Sequence, residues 1–146
     1  MGNKPRGLNA GKKLRQRREQ FLYAKKDVKS MKTKAYKKYD PFEGAPLAKA
    51  IVLQKYEVEV KQPHSGLRKC IKAQIIKNGR PVSAYAGYGP GCIKKIDEHN
   101  VVTLERLGAP QRRAYGDMPG IKFRVVKLNG VAIKEIMAGR KEKPVR

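Results

Sequence analysis

From residue 50 to residue 128, apolar side chains fall in short alternating runs broken by turn residues, a period that belongs to β-strands. Ala50–Val60 (AIVLQKYEVEV) begins apolar and then alternates, with Tyr56, Val58 and Val60 on one face. Arg68–Ile76 alternates less cleanly but carries Cys70, Ile71, Ile75 and Ile76. Asn78-Gly79 follows, and Pro81–Ala86 runs back. Asn-Gly between two such runs predicts a hairpin, because both residues tolerate positive φ. Val101–Leu107 and Ile121–Leu128 supply a fourth and a fifth strand. Beyond Asn129-Gly130, Val131–Ala138 reads as a short helix ended by Gly139 or as a further hairpin strand. Five short strands with few helix signals between them predict a mainly β fold, a small barrel or sandwich, with the five-stranded OB-fold barrel the natural candidate.

Upstream the period changes. Leu14, Phe21, Val28, Met31 and Ala35 recur at near-helical spacing, a stripe too thin for a stable free helix but suited to ordering on a partner. Cations crowd around it: Lys12, Lys13, Arg15, Arg17 and Arg18, then Lys25, Lys26, Lys29, Lys32, Lys34, Lys37 and Lys38. Up to Tyr39 only Glu19 and Asp27 oppose them. Asp40-Pro41 and Gly44-Ala45-Pro46 mark the boundary. The chain therefore reads as a long basic, partly helical N-terminal extension (1–44), a barrel (45–138) and a short basic C-terminal tail (139–146), GRKEKPVR.

Charge decides the class of partner. The formal net charge is +23 over 146 residues, and repulsion on that scale is relieved by a polyanion, nucleic acid first. An anionic membrane is the rival, but no amphipathic stretch has the apolar face that surface insertion needs. No apolar run approaches a membrane span or a signal peptide. Cys70 and Cys92 read as free thiols of a soluble intracellular protein. With His64 and His99 they match no zinc spacing, and no Walker loop or nucleophile elbow is present. The reading is no enzyme, no catalytic residue, no metal and no cofactor.

Two loops hold the chemistry. In KQPHSGLRK, Lys61 to Lys69, Pro63 fixes φ and gives a stiff, extended approach, Gly66 permits a turn or a close backbone contact, and Ser65 donates and accepts. Lys61, Arg68 and Lys69 bring charge, with Arg68 able to fork onto a phosphate or stack on a base. A stiff loop tipped by a small hydroxyl suits the wide, shallow minor groove of RNA; an ordinary polar turn is the plainer alternative. The second loop holds Arg112, Arg113 and Tyr115 before Gly116-Asp117-Met118-Pro119-Gly120, with Asp117 its sole acid and a candidate Asx-type cap. In an OB-fold the ligand meets strands two and three and the loops joining strands one to two and four to five, and these two loops occupy those positions.

KQPHSGLRK resembles the KxPNSAxRK loop of the universal small-subunit ribosomal protein number twelve, the streptomycin-resistance protein family. GDMPGIKFRVV resembles that family's second loop and following strand, and IDEHNVV its EH-x-VV segment. PFEGAPLAKAIVLQK, QIIKNGRPVSAY, GRKEKP and the long basic extension are similar to the archaeal and eukaryotic branch. The resemblance implies an OB-type barrel at the decoding centre, bound to small-subunit rRNA, beside tRNA and mRNA and other small-subunit proteins, with elongation and initiation factors as transient partners and the cytoplasm as compartment. It implies that Lys61, Pro63 and Ser65 approach the decoding nucleotides, supported by Arg68 and Lys69, with Gln62 and His64 as further rRNA-binding candidates of the same loop. Arg112, Arg113, Asp117, Met118, Pro119 and Gly120 would form the second decoding-site loop, and Lys12, Lys13, Arg15, Arg17, Arg18, Lys25 and Lys26 would bind rRNA along the extension. His64 stands where the family has Asn, Gly66 where it has Ala, and Gly116 where bacterial members have Lys.

Three other readings compete. A transient OB-fold translation factor would be less basic and lack tails that fold on a partner. A chromatin protein needs charge but no stiff loops. An RNA-processing enzyme needs a catalytic constellation that the sequence does not offer.

Overall fold

The computed structural model describes residues 6–89, 91–108 and 113–144. By contacts the chain divides into two compact units, 1–44 and 45–146.

The first unit is helical. Helix α1 (Ala10–Ala24), α2 (Lys26–Lys32) and α3 (Ala35–Tyr39) follow one another through short breaks, and none of them buries a residue. Leu14, Phe21 and Met31 of the apolar stripe are exposed. Arg17 lies over the Phe21 ring at 5.9 Å and Lys32 over Tyr23 at 4.3 Å, so aromatic faces and cations are interleaved on the surface. Asp40 caps the end of α3. Its carboxylate accepts from the Phe42 amide (3.1 Å) and the Gly44 amide (3.0 Å), folding Pro41–Gly44 into a turn. Gly44 is obligatory there, since at φ +88 a Cβ would sit 2.9 Å from the Tyr36 ring.

The second unit is a closed ring of strands. Strand β1 (Leu47–Glu59) pairs antiparallel with β2 (Leu67–Ile75), and its first residues, Leu47–Ile51, pair with β4 (Val101–Arg106). β2 continues antiparallel to β3 (Pro81–Tyr85), and β4 to β5 (Phe123–Leu128). A short parallel pairing of β3 with β5, at Ala84–Phe123 and Tyr85–Arg124, closes the barrel in the order β1-β2-β3-β5-β4. This is the mainly β, five-stranded OB-type barrel expected from the alternation, with a helical N-terminal region. Ala50, Val52, Ile71, Ala73, Ile75, Ala84, Val102, Leu104 and Val125 are buried as the alternating residues of these strands.

Several boundaries differ from the sequence reading. β1 starts at Leu47, three residues before the apolar run, because Leu47–Lys49 pair with Thr103–Glu105. The β2–β3 hairpin forms, but only Gly79 takes positive φ (+67); Asn78 instead uses its Oδ1 to accept from the Arg80 amide (3.2 Å). The tight two-residue turn lies at Asn129-Gly130, with φ +45 and +88, between β5 and β6 (Val131–Ala132). Both readings of the last segment hold: β6 leads into a helix, Ile133–Met137, and Gly139 follows at φ +74. A short helix at Cys92–Lys95 has no counterpart in the sequence reading. In the C-terminal tail Lys143 pairs with Asp97, and Arg140 with Glu135.

Candidate nucleic-acid interface

The interface starts from a β-bulge. On β1 the register slips between Val52 and Gln54, so Val52 stands opposite Ala73 but Tyr56 opposite Cys70. Ala73 and Cys70 lie on opposite faces of β2. Tyr56, Cys70 and Tyr85 are cross-strand neighbours on the face away from Ile71, Ala73 and Ile75. On that face the second loop is seated: Met118 and Ile121 are buried against Cys70, ringed by Tyr56, Val58, Tyr85 and Leu107. Cys70 is thus a packing residue. Burial pushes its thiol up to about 11, which keeps it protonated and unreactive at neutral pH.

Seating the second loop aligns it with the first. The first loop is closed at its base by the Val60 amide donating to the Gly66 carbonyl (3.1 Å). Within it the His64 amide donates to the Lys61 carbonyl (3.1 Å), turning the chain at the cis Gln62–Pro63 peptide. The proline therefore sits in a tight turn and not in the extended approach that its sequence context implied. The second loop is closed by the Tyr115 amide on the Ile121 carbonyl (3.1 Å) and the Met118 amide on the Tyr115 carbonyl (3.0 Å).

A backbone hydrogen bond and an ion pair join the loops. The Lys61 amide donates to the Asp117 carbonyl (3.1 Å). The Arg68 guanidinium holds Asp117 Oδ2 through Nη2 at 2.7 Å and Nε at 3.2 Å. Hydrogen bonding from Arg68, then its charge, holds the Asp117 carboxyl below its ordinary 3.8, and the same contact raises Arg68. A depressed carboxylate pKa means that the contact is complete above the ordinary value and is lost only as pH falls through the depressed one. Hydrogen-exchange protection of the Lys61 amide should therefore stay constant from neutral pH down through mildly acid conditions, then collapse in strong acid. Loss near neutrality would mean that the ion pair does not hold the loops.

Between the loops lies an open groove of about 640 Å³, walled by His64, Ser65 and Gly66 on one side and Tyr115, Gly116 and Asp117 on the other. Lys61, Gln62, Pro63, His64 and Ser65 are all exposed, and of these His64 and Ser65 line the groove. In the second loop Arg113, Pro119 and Gly120 are exposed, Asp117 is half-buried and Met118 is buried. Arg112 lies outside the described residues. Lys69 faces β1, paired with Glu57 directly across the strands. Arg68 and Lys69, read from sequence as contacts for RNA, are thus both engaged within the protein, while Lys61 projects. Gly66 adopts φ +152, where an added Cβ would meet nothing closer than Val60 Cγ2 at 4.0 Å; an alanine fits the space but not this backbone. Lys12, Lys13, Arg15, Arg17 and Arg18 lie exposed on α1, with Lys25 and Lys26 exposed at the start of α2.

Sequence reasoning missed Tyr115 as a wall of the groove and Arg68–Asp117 as its cross-tie. The available signal was a lone acid inside a basic loop, a residue whose charge has to be matched from elsewhere in the fold.

Chemically the site offers rigidly spaced donors, a hydroxyl, an imidazole and a projecting ammonium. Among the described residues no cluster of His, Cys, Asp and Glu is placed to hold a metal. No helix among them is long and apolar enough to cross a membrane. The sequence model of the family described as Ribosomal protein S12/S23 matches residues 35–146, a span that takes in both loops and every strand of the barrel.

Proposed function

Because this chain belongs to the ribosomal protein S12/S23 family, we propose that its two tied loops meet small-subunit rRNA at the decoding centre. The family is non-enzymatic and its members are small-subunit ribosomal proteins of translation, which brings rRNA and other ribosomal proteins as partners. The observation that carries the finer reading is the cross-tie. Non-specific phosphate binding needs only mobile cations, whereas here a backbone bond and an ion pair fix Lys61, His64 and Ser65 relative to Tyr115 and Gly116. Fixed donors of that kind select one geometry of the nucleotides they touch. In this role the protein works by placement: cognate codon–anticodon pairing fits the held nucleotides and mismatched pairing does not.

Lys61, Gln62, Pro63, His64 and Ser65 then face RNA, and the exposed Arg113, Pro119 and Gly120 of the second loop add to that surface. Arg68, Asp117 and Met118 hold the surface in shape. The cations of α1 and α2 neutralise phosphates along the extension, which orders against rRNA. With about ten phosphates neutralised, log K would fall by roughly seven to nine per log unit of salt. The matches PFEGAPLAKAIVLQK and QIIKNGRPVSAY favour the archaeal and eukaryotic branch, with the cytoplasm as compartment and tRNA, mRNA and translation factors as neighbours during decoding.

Ser65→Ala tests this. One hydroxyl adds little to total affinity, so incorporation into particles should be unchanged while misreading in a reporter assay shifts. Unchanged accuracy, or failed assembly, removes Ser65 from the assigned role.

A further inference from the structure

Beside the groove, and sharing Tyr115 with it, lies a smaller hollow of about 230 Å³ to which no role has been assigned above. Tyr85 at the end of β3, Tyr88, Tyr115, Met118 and Arg124 of β5 line it. Tyr88 and Tyr115 are 42% and 49% exposed, so both side chains reach solvent. Gly87 completes the lining at φ +85; a Cβ there would come 3.1 Å from the Val125 carbonyl, so only glycine lets the chain lie this close to β5.

The position of Arg124 is the informative feature. Its Nε is bonded to Glu105 on β4, which commits the edge of the guanidinium. Its Cζ lies over the Tyr88 ring, 5.9 Å from the centroid. An arginine held by its edge is left with flat faces, and the rings around it are flat as well. Such a lining recognises a planar π-system through stacking. The volume is below the roughly 300–1,000 Å³ of pockets that enclose whole ligands, so it takes one ring system and not a longer chain. The net charge of +23 draws a polyanionic strand to this surface and repels a basic protein segment.

We propose that this hollow receives a single unstacked nucleobase from a single-stranded segment of rRNA, held against the tyrosine rings and the Arg124 guanidinium. It rests on the family's place in the ribosome and adds a second, base-stacking contact next to the decoding loops. Stacking tolerates every base, so the site selects an extruded nucleotide and not a sequence. It also gives Tyr115 two jobs, since a base seated here would press on a wall of the groove.

The test uses assembled small subunits. Ultraviolet cross-linking of wild-type particles, with adducts mapped by mass spectrometry, should yield a nucleotide on Tyr88 or Tyr115. In particles carrying Tyr88→Leu, that same nucleotide should become about fivefold more reactive to base-modifying probes, the low end of what loss of one stacking partner produces. Tyr88→Phe keeps the ring and should leave reactivity unchanged. Should Tyr88→Leu fail to assemble, the wild-type adduct map decides alone. Adducts on the Lys61–Arg68 loop with none on the tyrosines would overturn the hollow and leave the decoding-loop reading standing. Adducts on neither would overturn both, and a tyrosine cross-linked to a protein would show that a side chain, not a base, occupies the hollow.

Discussion

Arg68→Ala is expected to leave the barrel folded and the protein in the particle, yet to change misreading by about tenfold, within the range that small misplacements of positioned groups produce. The guanidinium is about half exposed and its partner is 22% exposed, so the ion pair contributes only about 0–1 kcal/mol to stability. Its importance is geometric, because it fixes one loop against the other. Asp117→Asn should act in the same direction, and the double variant should be no worse than either single one, since each removes the same tie. That cycle separates a cross-tie from two independent contacts with RNA, whose effects would add. Arg68→Lys should be intermediate, because a point charge replaces a fork that delivers two nitrogens to one oxygen. Additive misreading across the cycle would return Arg68 to the role of direct RNA contact.

Met118→Ala should carry the largest cost in stability, about 2–5 kcal/mol. Met118 is 4% exposed, and with Ile121 it covers Cys70 on the face of β2 opposite the barrel interior. Truncation opens a cavity directly under the second loop, loosening the seat on which Asp117 depends. Two readouts report this: a lower midpoint in chemical denaturation, and alkylation of Cys70, which is otherwise buried and held as a thiol. Met118→Leu preserves volume and should cost less than about 1.5 kcal/mol. An unreactive Cys70 in the alanine variant would mean that the loop is held by its hydrogen bonds alone.

The strands were legible because half-buried sheet residues alternate, and nothing competes with that period between Val101 and Leu107 or between Pro81 and Ala86. What alternation cannot register is a bulge. Tyr56, Val58 and Val60 read as one face after an apolar run whose faces the pattern does not separate, and the slip at Leu53 turns Tyr56 to the face opposite Val52. That single extra residue is why the second loop has an apolar surface to sit on. The loops were legible from their proline, glycine and cations. Their connection was not, because Arg68 and Asp117 lie 49 positions apart and no local pattern links them. Charge likewise marked Arg68, Lys69 and Lys61 as candidates without showing which of them projects. Glu57 and Asp117 settle that by engaging the first two.

The three N-terminal helices bury no residue of their own, and this bears on how the cell must handle the free chain. A helix of 15 residues or fewer with no packed face is marginal in water and opens often. Each opening presents a protease with closely spaced lysines and arginines, whereas the barrel is closed on itself. Copies made in excess of rRNA should therefore be trimmed from the amino end first, their lifetimes measured in encounters with proteases and not in unfolding of the barrel. Synthesis of the protein and of its RNA would be kept in proportion by destruction of the surplus, with the unpacked extension serving as the mark of a copy that has not yet found its place.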